Sequence, residues 1–429
     1  MKIHLYCNTL NISYSLGKVL KELGYDVKLF LDNTSPLIQD FPWHIDRDMT
    51  PENFPSWIVY YKIAPDFIKL DKETKALIED FSKGDVALVW GWGPILCHFA
   101  KIPYFFCSLG ADLNNIKISE KIKYIIVKKL FGKKQVVTTP LKIEVKAGST
   151  YSGLHKLFIY ILQRRFLKEA YAIGIGMGYQ INPYMKRFGL LDKMVKIRGL
   201  HDMDYYKKSE DDLLNNKYSK YNCIFFAPAR HSWSNVWEDI KGNDKYIRAF
   251  AAFVKKYNPN CKLVTITKGV DVDLSKQLIE ELGIGNYVEW LPEMDKEDII
   301  KFLSIPNCVI IDQFMHDKWY LRYPEDKAKV RVGFGFASVE ALALEKVIIT
   351  AFEDEMFYEN NQPPILKAFT IAEIENAMAT AYNMSANERV DLGKKAREFA
   401  IKYHDWKNNI HIYTDVLTDL YNKTKLAKA

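Results

Sequence analysis

The feature that most limits the fold of this chain is an alternation of short apolar runs and helical patterns. In the amino-terminal half, apolar runs bounded by Gly, Asn or Asp lie at 2–8, 26–32, 86–92, 102–110 and 172–177. In the carboxyl-terminal half they return at 223–229, 262–269, 287–293, 308–314 and 346–352. Helical patterns fill the spaces between several of these runs, which predicts parallel sheets covered by helices.

The length and one polar stretch predict two domains. A chain of 429 residues is longer than a single hydrophobic core usually allows. The polar stretch KKSEDDLLNNKYSKYN at 207–222 interrupts the alternation, and we interpret it as a linker. We therefore predict one Rossmann-like domain over 1–206 and a second over 223–399. Sheets of this kind bind ligands beyond the carboxyl ends of their strands.

The composition excludes several classes of protein. With 48% hydrophobic and 26% charged residues, the chain is neither disordered nor largely embedded in a membrane. The apolar stretch at 86–100 carries no charge, but it is too short to span a bilayer and is interrupted by Gly91, Gly93 and Pro94. The six cysteines form no CxxC motif and no signal peptide is evident, so we expect a cytoplasmic protein without a disulfide framework.

The positive charge is concentrated in one segment. Residues 116–168 contain thirteen Lys and Arg against two Glu, a net +11 in a chain whose net charge is +7. The basic residues alternate with Ile, Leu, Phe and Tyr, which suits peripheral contact with an anionic membrane at its inner face. The alternative is a solvated basic face over a core-facing stripe. No nucleic-acid-binding module is recognisable, so we expect no nucleic-acid partner.

Three stretches of the second half carry a resemblance to a known family. They are ARHSWSNVWEDIKGNDKYIRAF at 229–250, IPNCVIIDQF at 305–314 and VRVGFGFASVEALALEKVIIT at 330–350. These resemble the Arg and Lys-Gly stretch, the strand before the donor loop and the Glu-Ala signature helix of retaining GT-B glycosyltransferases of family 4. The resemblance implies a GT-B fold, in which two Rossmann-like doubly wound domains face each other across a cleft.

The rest of the chain resembles this family more loosely. MKIHLYCNTLNISYSLGKVLKELGYDVKLF at 1–30 is similar to its first strand, loop and helix, and AKIPYFFCSLGADL at 100–113 to its Gly-Ser/Thr-Asp segment. Residues 399–421 are similar to the helix that closes the family's fold by crossing back toward the first domain. The resemblance therefore implies an acceptor-side first domain, which includes a helix at about 400–429, and a nucleotide-sugar-binding second domain.

The resemblance assigns Arg230 and Lys241 to the leaving diphosphate. Negative charge grows on the leaving oxygen as a glycosidic bond breaks, and fixed positive charge stabilises it. A guanidinium binds a phosphate through two parallel hydrogen bonds, and an ammonium adds a movable charge. The alternative is that both residues are surface cations in a polar loop.

The resemblance also assigns the signature helix and its preceding glycines to the donor. Gly333, Phe334, Gly335 and Phe336 lie where backbone N–H groups at a helix start would approach a phosphate. In the family, the glutamate that matches Glu340 accepts hydrogen bonds from the two ribose hydroxyls, which needs an acceptor-only group. The alternative for Glu340 is a charge favoured by the helix dipole near its amino terminus.

Four further residues match family positions with less support. Asp112 matches the aspartate of the Gly-Ser/Thr-Asp segment and is a catalytic candidate, although it would also suit a turn or helix cap. Asn11 and Ser13 lie where the family has a glycine-rich donor loop, which this chain lacks. His231 follows Arg230 and would hydrogen-bond the donor, or serve only a structural role.

One position departs from the family. Its first glutamate would fall at Val332, which cannot hydrogen-bond a sugar hydroxyl, and the nearby Arg331, Arg322 and Asp317 are candidates to replace it. The Asp-rich runs at 202–204 and 271–273 resemble metal ligands. The resemblance implies metal-independent catalysis, so we expect no metal and no cofactor besides the nucleotide-diphosphate sugar substrate.

The sequence thus predicts a hexosyl-type glycosyltransferase of glycan biosynthesis. It would move a sugar from a nucleotide-diphosphate donor to a hydroxyl of a glycan or lipid-linked acceptor, such as a cell-surface polysaccharide precursor, with retention of configuration. Two alternatives remain. A non-catalytic homologue that binds a nucleotide sugar or glycan would explain Val332, and a GT-B nucleotide-sugar epimerase would share the donor site.

Overall fold

The computed structural model describes residues 1–33, 40–108, 153–176, 185–186, 188–209, 211–234, 241–314, 333–353 and 358–427. The chain forms two compact units, each built on one parallel sheet. The first unit comprises Met1–Gly176, Ile181–Leu200 and Ile410–Ala429, and the second comprises Met177–Gln180 and His201–Asn409. The prediction of two Rossmann-like α/β domains is confirmed.

In the described part of the first unit, seven parallel strands pair in the order β3-β2-β1-β4-β5-β6-β7. The strands are β1 Lys2–Tyr6, β2 Asp26–Asp32, β3 Ile58–Tyr61, β4 Val86–Val89, β5 Tyr104–Ser108, β6 Ala172–Ile175 and β7 Met194–Lys196. The helices of this unit before residue 200 are α1 Ile12–Glu22, α2 Lys72–Phe81, α3 Gly93–Ala100 and α4 Gly153–Phe166. The sequence did not predict β3 and β7, which are the two edge strands and are buried less completely than the others.

The described part of the second unit contains six parallel strands in the order β10-β9-β8-β11-β12-β13. The strands are β8 Cys223–Ala227, β9 Cys261–Ile266, β10 Val288–Leu291, β11 Cys308–Ile311, β12 Val347–Thr350 and β13 Leu366–Lys367. The helices are α5 Asp212–Tyr218, α6 Asn243–Tyr257, α7 Val272–Glu281, α8 Lys296–Ser304, α9 Phe336–Ala343, α10 Ile371–Asn383, α11 Ala386–His404 and α12 Trp406–Asn409.

The central strand β8 shows why its sheet is covered on both faces. Cys223, Phe225 and Ala227 pack into one hydrophobic layer, whereas Ile224 and Phe226 pack into the other. All five side chains are fully buried. Because successive strand residues point to opposite faces, a continuous apolar strand needs helices on both sides. The carboxyl end of this strand leads directly into the loop that carries Arg230.

The boundaries of the two units differ from the predicted ones. Residues 207–222, interpreted as a linker, lie within the second unit and contain α5. The Asp211 carboxylate accepts a hydrogen bond from the Leu214 N–H at 3.0 Å and so caps α5. Tyr218 is buried against Phe302, with ring centroids 5.2 Å apart. The polar residues of this stretch therefore belong to the exposed face of α5, which packs within the second unit.

The last helix, α13 His411–Leu426, belongs to the first unit. Tyr413, Leu417 and Leu420 are buried in that unit's core, and the Tyr413 hydroxyl donates to the Arg198 carbonyl at 2.8 Å. Among the helices that the structure describes, none is both long enough and apolar enough to cross a bilayer.

Candidate functional site

The loop after β8 carries Arg230 and is fixed by the loop after β9. The His231 N–H donates to the Lys268 carbonyl at 2.7 Å, and the Asp271 N–H donates to the His231 carbonyl at 3.1 Å. Gly269 has φ +111°, and a Cβ atom there would lie 2.3 Å from the His231 carbonyl oxygen. The half-buried Arg230 therefore lies at the carboxyl end of a central strand, next to a backbone segment that the adjacent loop holds in place.

The imidazole of His231 is fully buried, and both ring nitrogens are hydrogen-bonded inside the protein. Because Thr265 Oγ1 donates to the Ala227 carbonyl at 3.0 Å, it accepts from His231 Nε2–H at 2.9 Å. Ser275 Oγ accepts from Trp233 Nε1–H and donates to His231 Nδ1, each at 2.8 Å. Burial lowers the pKa of His231 to about 4, so the ring is neutral. The side chain of His231 is therefore engaged inside the protein, which favours the structural alternative, and a donor contact stays a prediction.

Asp271 anchors the same loop, a role that sequence reasoning missed. Its buried carboxylate accepts hydrogen bonds from the N–H groups of Trp233 at 2.5 Å and Ser234 at 2.8 Å, and from Ser234 Oγ at 2.6 Å. An aspartate just before α7 is the only local sequence signal of this contact. Among the described residues, no three His, Cys, Asp or Glu side chains come together as a metal site.

Lys241 connects three loops at the carboxyl edge of the sheet. Its N–H donates to the Ser232 carbonyl at 2.7 Å, and its carbonyl accepts from the Phe314 N–H at 2.9 Å. Its ammonium donates to Gln313 Oε1 at 2.8 Å, and Gln313 Nε2 lies 3.4 Å from the Gly333 carbonyl oxygen. The fold therefore brings Lys241 to the backbone that enters α9. Sequence reasoning did not identify Gln313 as the bridging residue.

Gly242 makes this position of Lys241 attainable. Its φ is +65°, and a Cβ atom would lie 2.1 Å from the Phe314 carbonyl oxygen. A larger residue would therefore be strained in its backbone and would clash with the loop after β11.

The start of α9 lies over a buried carboxylate. The Asp312 side chain accepts a hydrogen bond from Ser338 Oγ at 2.6 Å, and burial raises its pKa. A Cβ atom on Gly335 would lie 2.7 Å from Asp312 Oδ2. The predicted reason for this glycine was close approach of the backbone to a phosphate. The structure adds a second reason, which is contact with Asp312.

The two phenylalanines of the Gly-Phe-Gly-Phe segment have different environments. Phe334 is buried and stacks on Phe352, with ring centroids 4.3 Å apart. The Phe334 side chain therefore belongs to the core, and the predicted approach of its backbone to a phosphate stays a prediction. Phe336 is half-buried, and its ring centroid lies 5.2 Å from that of His201.

Glu340 is buried and paired with a cation. Its side chain forms an ion pair with Lys296 at the start of α8. Burial, and then the charge of the Glu340 carboxylate, raise the pKa of the Tyr206 hydroxyl. Glu340 is the fifth residue of α9 and lies beyond its first turn. The helix-dipole alternative is therefore unsupported, because that effect is confined to the first turn. Sequence reasoning did not predict Lys296 as its partner.

Tyr206 is held in place by a clamp from α11. The Arg397 guanidinium donates to the carbonyl oxygens of Met203 at 3.2 Å, Tyr206 at 3.0 Å and Ala343. The last of these oxygens lies at the carboxyl end of α9, where a cation is favourable. One side chain thus fixes the segment that carries Tyr206 to the helix that carries Glu340.

The first-unit candidates use their side chains within their own loop. Asn11 is buried, with its Nδ2 donating to the Phe41 carbonyl and its Oδ1 accepting from Asn8 Nδ2, both at 2.7 Å. Ser13 is fully buried and donates to the Cys7 carbonyl at 2.6 Å. Their predicted donor contacts stay a prediction.

Several candidates lie outside the described residues. They are Asp112, Val332 with its proposed substitutes Arg331, Arg322 and Asp317, and residues 116–152 of the basic segment. Their predicted roles stay predictions.

Comparison with known proteins identifies a glycosyltransferase domain in this part of the chain. Residues 236–399 match the family described as glycosyl transferases group 1. A search of curated proteins finds no match to the sequence. The matched stretch includes Lys241 and Glu340 and begins just after Arg230.

Solved structures match along the whole chain. Anabaena HepE, in complex with UDP and glucose, has a TM-score of 0.63 at 14% identity, over 98% of this chain and all of that one. Sucrose-phosphate synthase from Thermosynechococcus elongatus has a TM-score of 0.58 at 14% identity, with both chains fully covered. WaaG, a glycosyltransferase involved in lipopolysaccharide biosynthesis, has a TM-score of 0.54 at 10% identity, over 97% of this chain and 98% of that one. The chain therefore has the GT-B fold and carries a glycosyltransferase group 1 domain over residues 236–399.

Proposed function

We propose that this protein transfers a hexose-type sugar from a nucleoside-diphosphate donor to a hydroxyl of a glycan or lipid-linked acceptor. The observation that carries the proposal is the position of Lys241, which is hydrogen-bonded to Gln313 beside the Gly333 carbonyl at the start of α9. Arg230 lies in the loop to which the Lys241 backbone is bonded, and Glu340 lies one turn into α9. In a nucleoside diphosphate the ribose is next to the diphosphate. Cations near the start of α9 would match the diphosphate, and a carboxylate one turn further along the helix would match the ribose.

In the proposed reaction, the acceptor oxygen forms a bond to the anomeric carbon as that carbon's bond to the diphosphate breaks. The acceptor proton goes to the leaving phosphate oxygen, and the sugar keeps its configuration. Arg230, Lys241 and the backbone N–H groups at the start of α9 stabilise the charge on the leaving diphosphate, so no metal is required. Asp112 is the proposed first-domain catalytic residue.

Uridine diphosphate is the proposed carrier, because HepE binds UDP and glucose on the same fold. The acceptor is proposed to be a precursor of a cell-surface glycan at the inner membrane face, since WaaG acts in lipopolysaccharide biosynthesis. The exposed side chains of Phe158 and Ile161, beside basic residues on α4, supply a surface for membrane contact.

The test is thermal unfolding with UDP-, GDP-, ADP-, dTDP- and CMP-sugars, followed by turnover with the donor that binds. A donor at about 100 times its dissociation constant stabilises the fold by about 2.7 kcal/mol, which raises Tm by several degrees. Arg230→Ala and Glu340→Ala should abolish this increase. Arg248→Ala, which removes an exposed arginine of α6, should retain it.

Other results would favour other functions. If no donor raises the Tm of the wild type, the proposed donor site is wrong. Binding of a donor without turnover would favour the non-catalytic homologue. Conversion of the donor without any acceptor would favour the epimerase.

A further inference from the structure

The ion pair between Lys296 and Glu340 is unusually buried. Their side chains are 15% and 6% exposed, which makes this the most buried of the ion pairs recorded between described residues. A buried pair gains little stability, because desolvation of two charges offsets their attraction. A function for Lys296 is therefore a better explanation than stability.

The position of Lys296 in its own helix supports this argument. Lys296 is the first residue of α8, where the helix dipole disfavours a cation. The neighbouring positions follow the usual preference, because Asp295 caps the helix and Glu297 and Asp298 lie in its first turn. Lys296 is thus the exception at this helix start, and its side chain extends to the Glu340 carboxylate instead.

The bonds that Glu340 makes leave capacity for a ligand. Lys296 donates to its carboxylate. A carboxylate can accept about four hydrogen bonds, so about three sites remain. The vicinal hydroxyls of a ribose need two of them.

We propose that Lys296 is a positioning residue that orients the Glu340 carboxylate toward both ribose hydroxyls, so that the site selects ribonucleotides over 2′-deoxyribonucleotides. The inference rests on the proposed function and names a positioning residue of its donor site. Lys296 acts through Glu340 and does not itself contact the nucleotide.

The experiment is calorimetric titration of UDP, ADP and GDP, and of their 2′-deoxy forms, into the wild type and variants. Lys296→Met should weaken binding of the preferred ribonucleotide about tenfold, as expected for the loss of a well-formed bond to a charged group. Binding of the 2′-deoxy form should change much less, so the preference for ribose shrinks. Lys296→Arg keeps a cation and should restore most of the preference.

A second lysine that pairs with a glutamate near α9 supplies a matched control. Lys208 forms an ion pair with Glu345, just beyond the end of α9, with side chains 51% and 29% exposed. Lys208→Met removes the same type of side chain and should leave the ribose preference unchanged. Circular dichroism of every variant checks that the fold is intact.

The outcomes separate the two proposals. Equal loss of affinity for both sugar forms in Lys296→Met, or tighter binding of the ribonucleotide, would overturn the role of Lys296 while leaving the donor site in place. If the wild type binds no nucleotide, the proposed function fails and this inference fails with it.

Discussion

Arg230 and His231 are adjacent in the sequence but have opposite environments. Arg230 is half-buried at the end of β8, whereas His231 is fully buried and bonded to Thr265 of β9 and Ser275 of α7. A strand end followed by an arginine was visible in the sequence. The partners of His231 lie 34 and 44 residues away, so its role depended on tertiary structure.

The buried His231 predicts a pH dependence of stability. Its pKa is lowered from 6.5 to about 4 by burial, so the unfolded chain binds a proton at higher pH than the native protein does. The contribution of the neutral His231 to the free energy of unfolding is fully present above pH 6.5 and is lost as the pH falls toward 4. The loss is on the order of 3 kcal/mol in the free energy of unfolding. Urea unfolding at a series of pH values measures it.

The comparison variant is His231→Gln, which keeps a donor and an acceptor but does not titrate. Burial also lowers the pKa values of His4 and His201, and these contribute equally to both proteins. Between pH 6.5 and 4 the variant should therefore lose less stability than the wild type. Parallel pH profiles for the two proteins would contradict the prediction.

At the scale of elements, α9 is the part of the site that the sequence predicted best. A helix after Gly-Phe-Gly was expected, and α9 begins at Phe336. The sequence did not indicate that Asp312 of the preceding strand end lies under this start. That contact depends on β11 and α9 being adjacent in space across residues 315–332 of the chain.

Gly335→Ala should disturb the start of α9. The added Cβ would lie 2.7 Å from Asp312 Oδ2, and overpacking of this kind costs about 1–3 kcal/mol. In the Asp312→Ala background the same substitution should cost less, because the obstructing oxygen is gone. Gly285→Ala is the control, since nothing lies within 4 Å of its added Cβ. Urea unfolding of the four variants measures each cost.

If the contact with Asp312 causes the loss of stability in Gly335→Ala, the size of that loss should depend on the presence of Asp312. An equal cost of Gly335→Ala with and without Asp312 would mean that the contact with Asp312 is not the cause. A loss of donor binding in Gly335→Ala at unchanged stability would point instead to the phosphate role that the resemblance implies.

At the scale of the whole molecule, the charge distribution is the main unexplained feature. Within the described part of the basic segment, α4 buries Ile159, Gln163 and Phe166 and exposes Phe158 and Ile161. The exposed fractions of the last two side chains are 57% and 42%, and basic residues follow in the last turn. The buried side chains agree with the core-facing stripe of the alternative interpretation, whereas the exposed apolar side chains favour the membrane proposal.

Replacing this face should weaken membrane binding. The double variant Phe158→Ser and Ile161→Ser should lose most of the binding to vesicles that contain anionic lipid, as measured by flotation. The control is Leu213→Ser, which removes an apolar side chain that is 83% exposed on α5. Wild-type protein that fails to float with anionic vesicles would contradict the prediction, and so would a control that loses binding equally.

The sequence by itself determined the two parallel sheets, most of their strands, and the candidates Arg230, Lys241 and Glu340. It did so because apolar periodicity, glycines and local motifs are properties of neighbouring residues. Only the tertiary structure decided that His231, Phe334, Asn11 and Ser13 are internal, and that Lys296 is paired with Glu340. Burial and hydrogen bonding depend on residues far apart in the chain, which parallel strands and their crossover helices bring together.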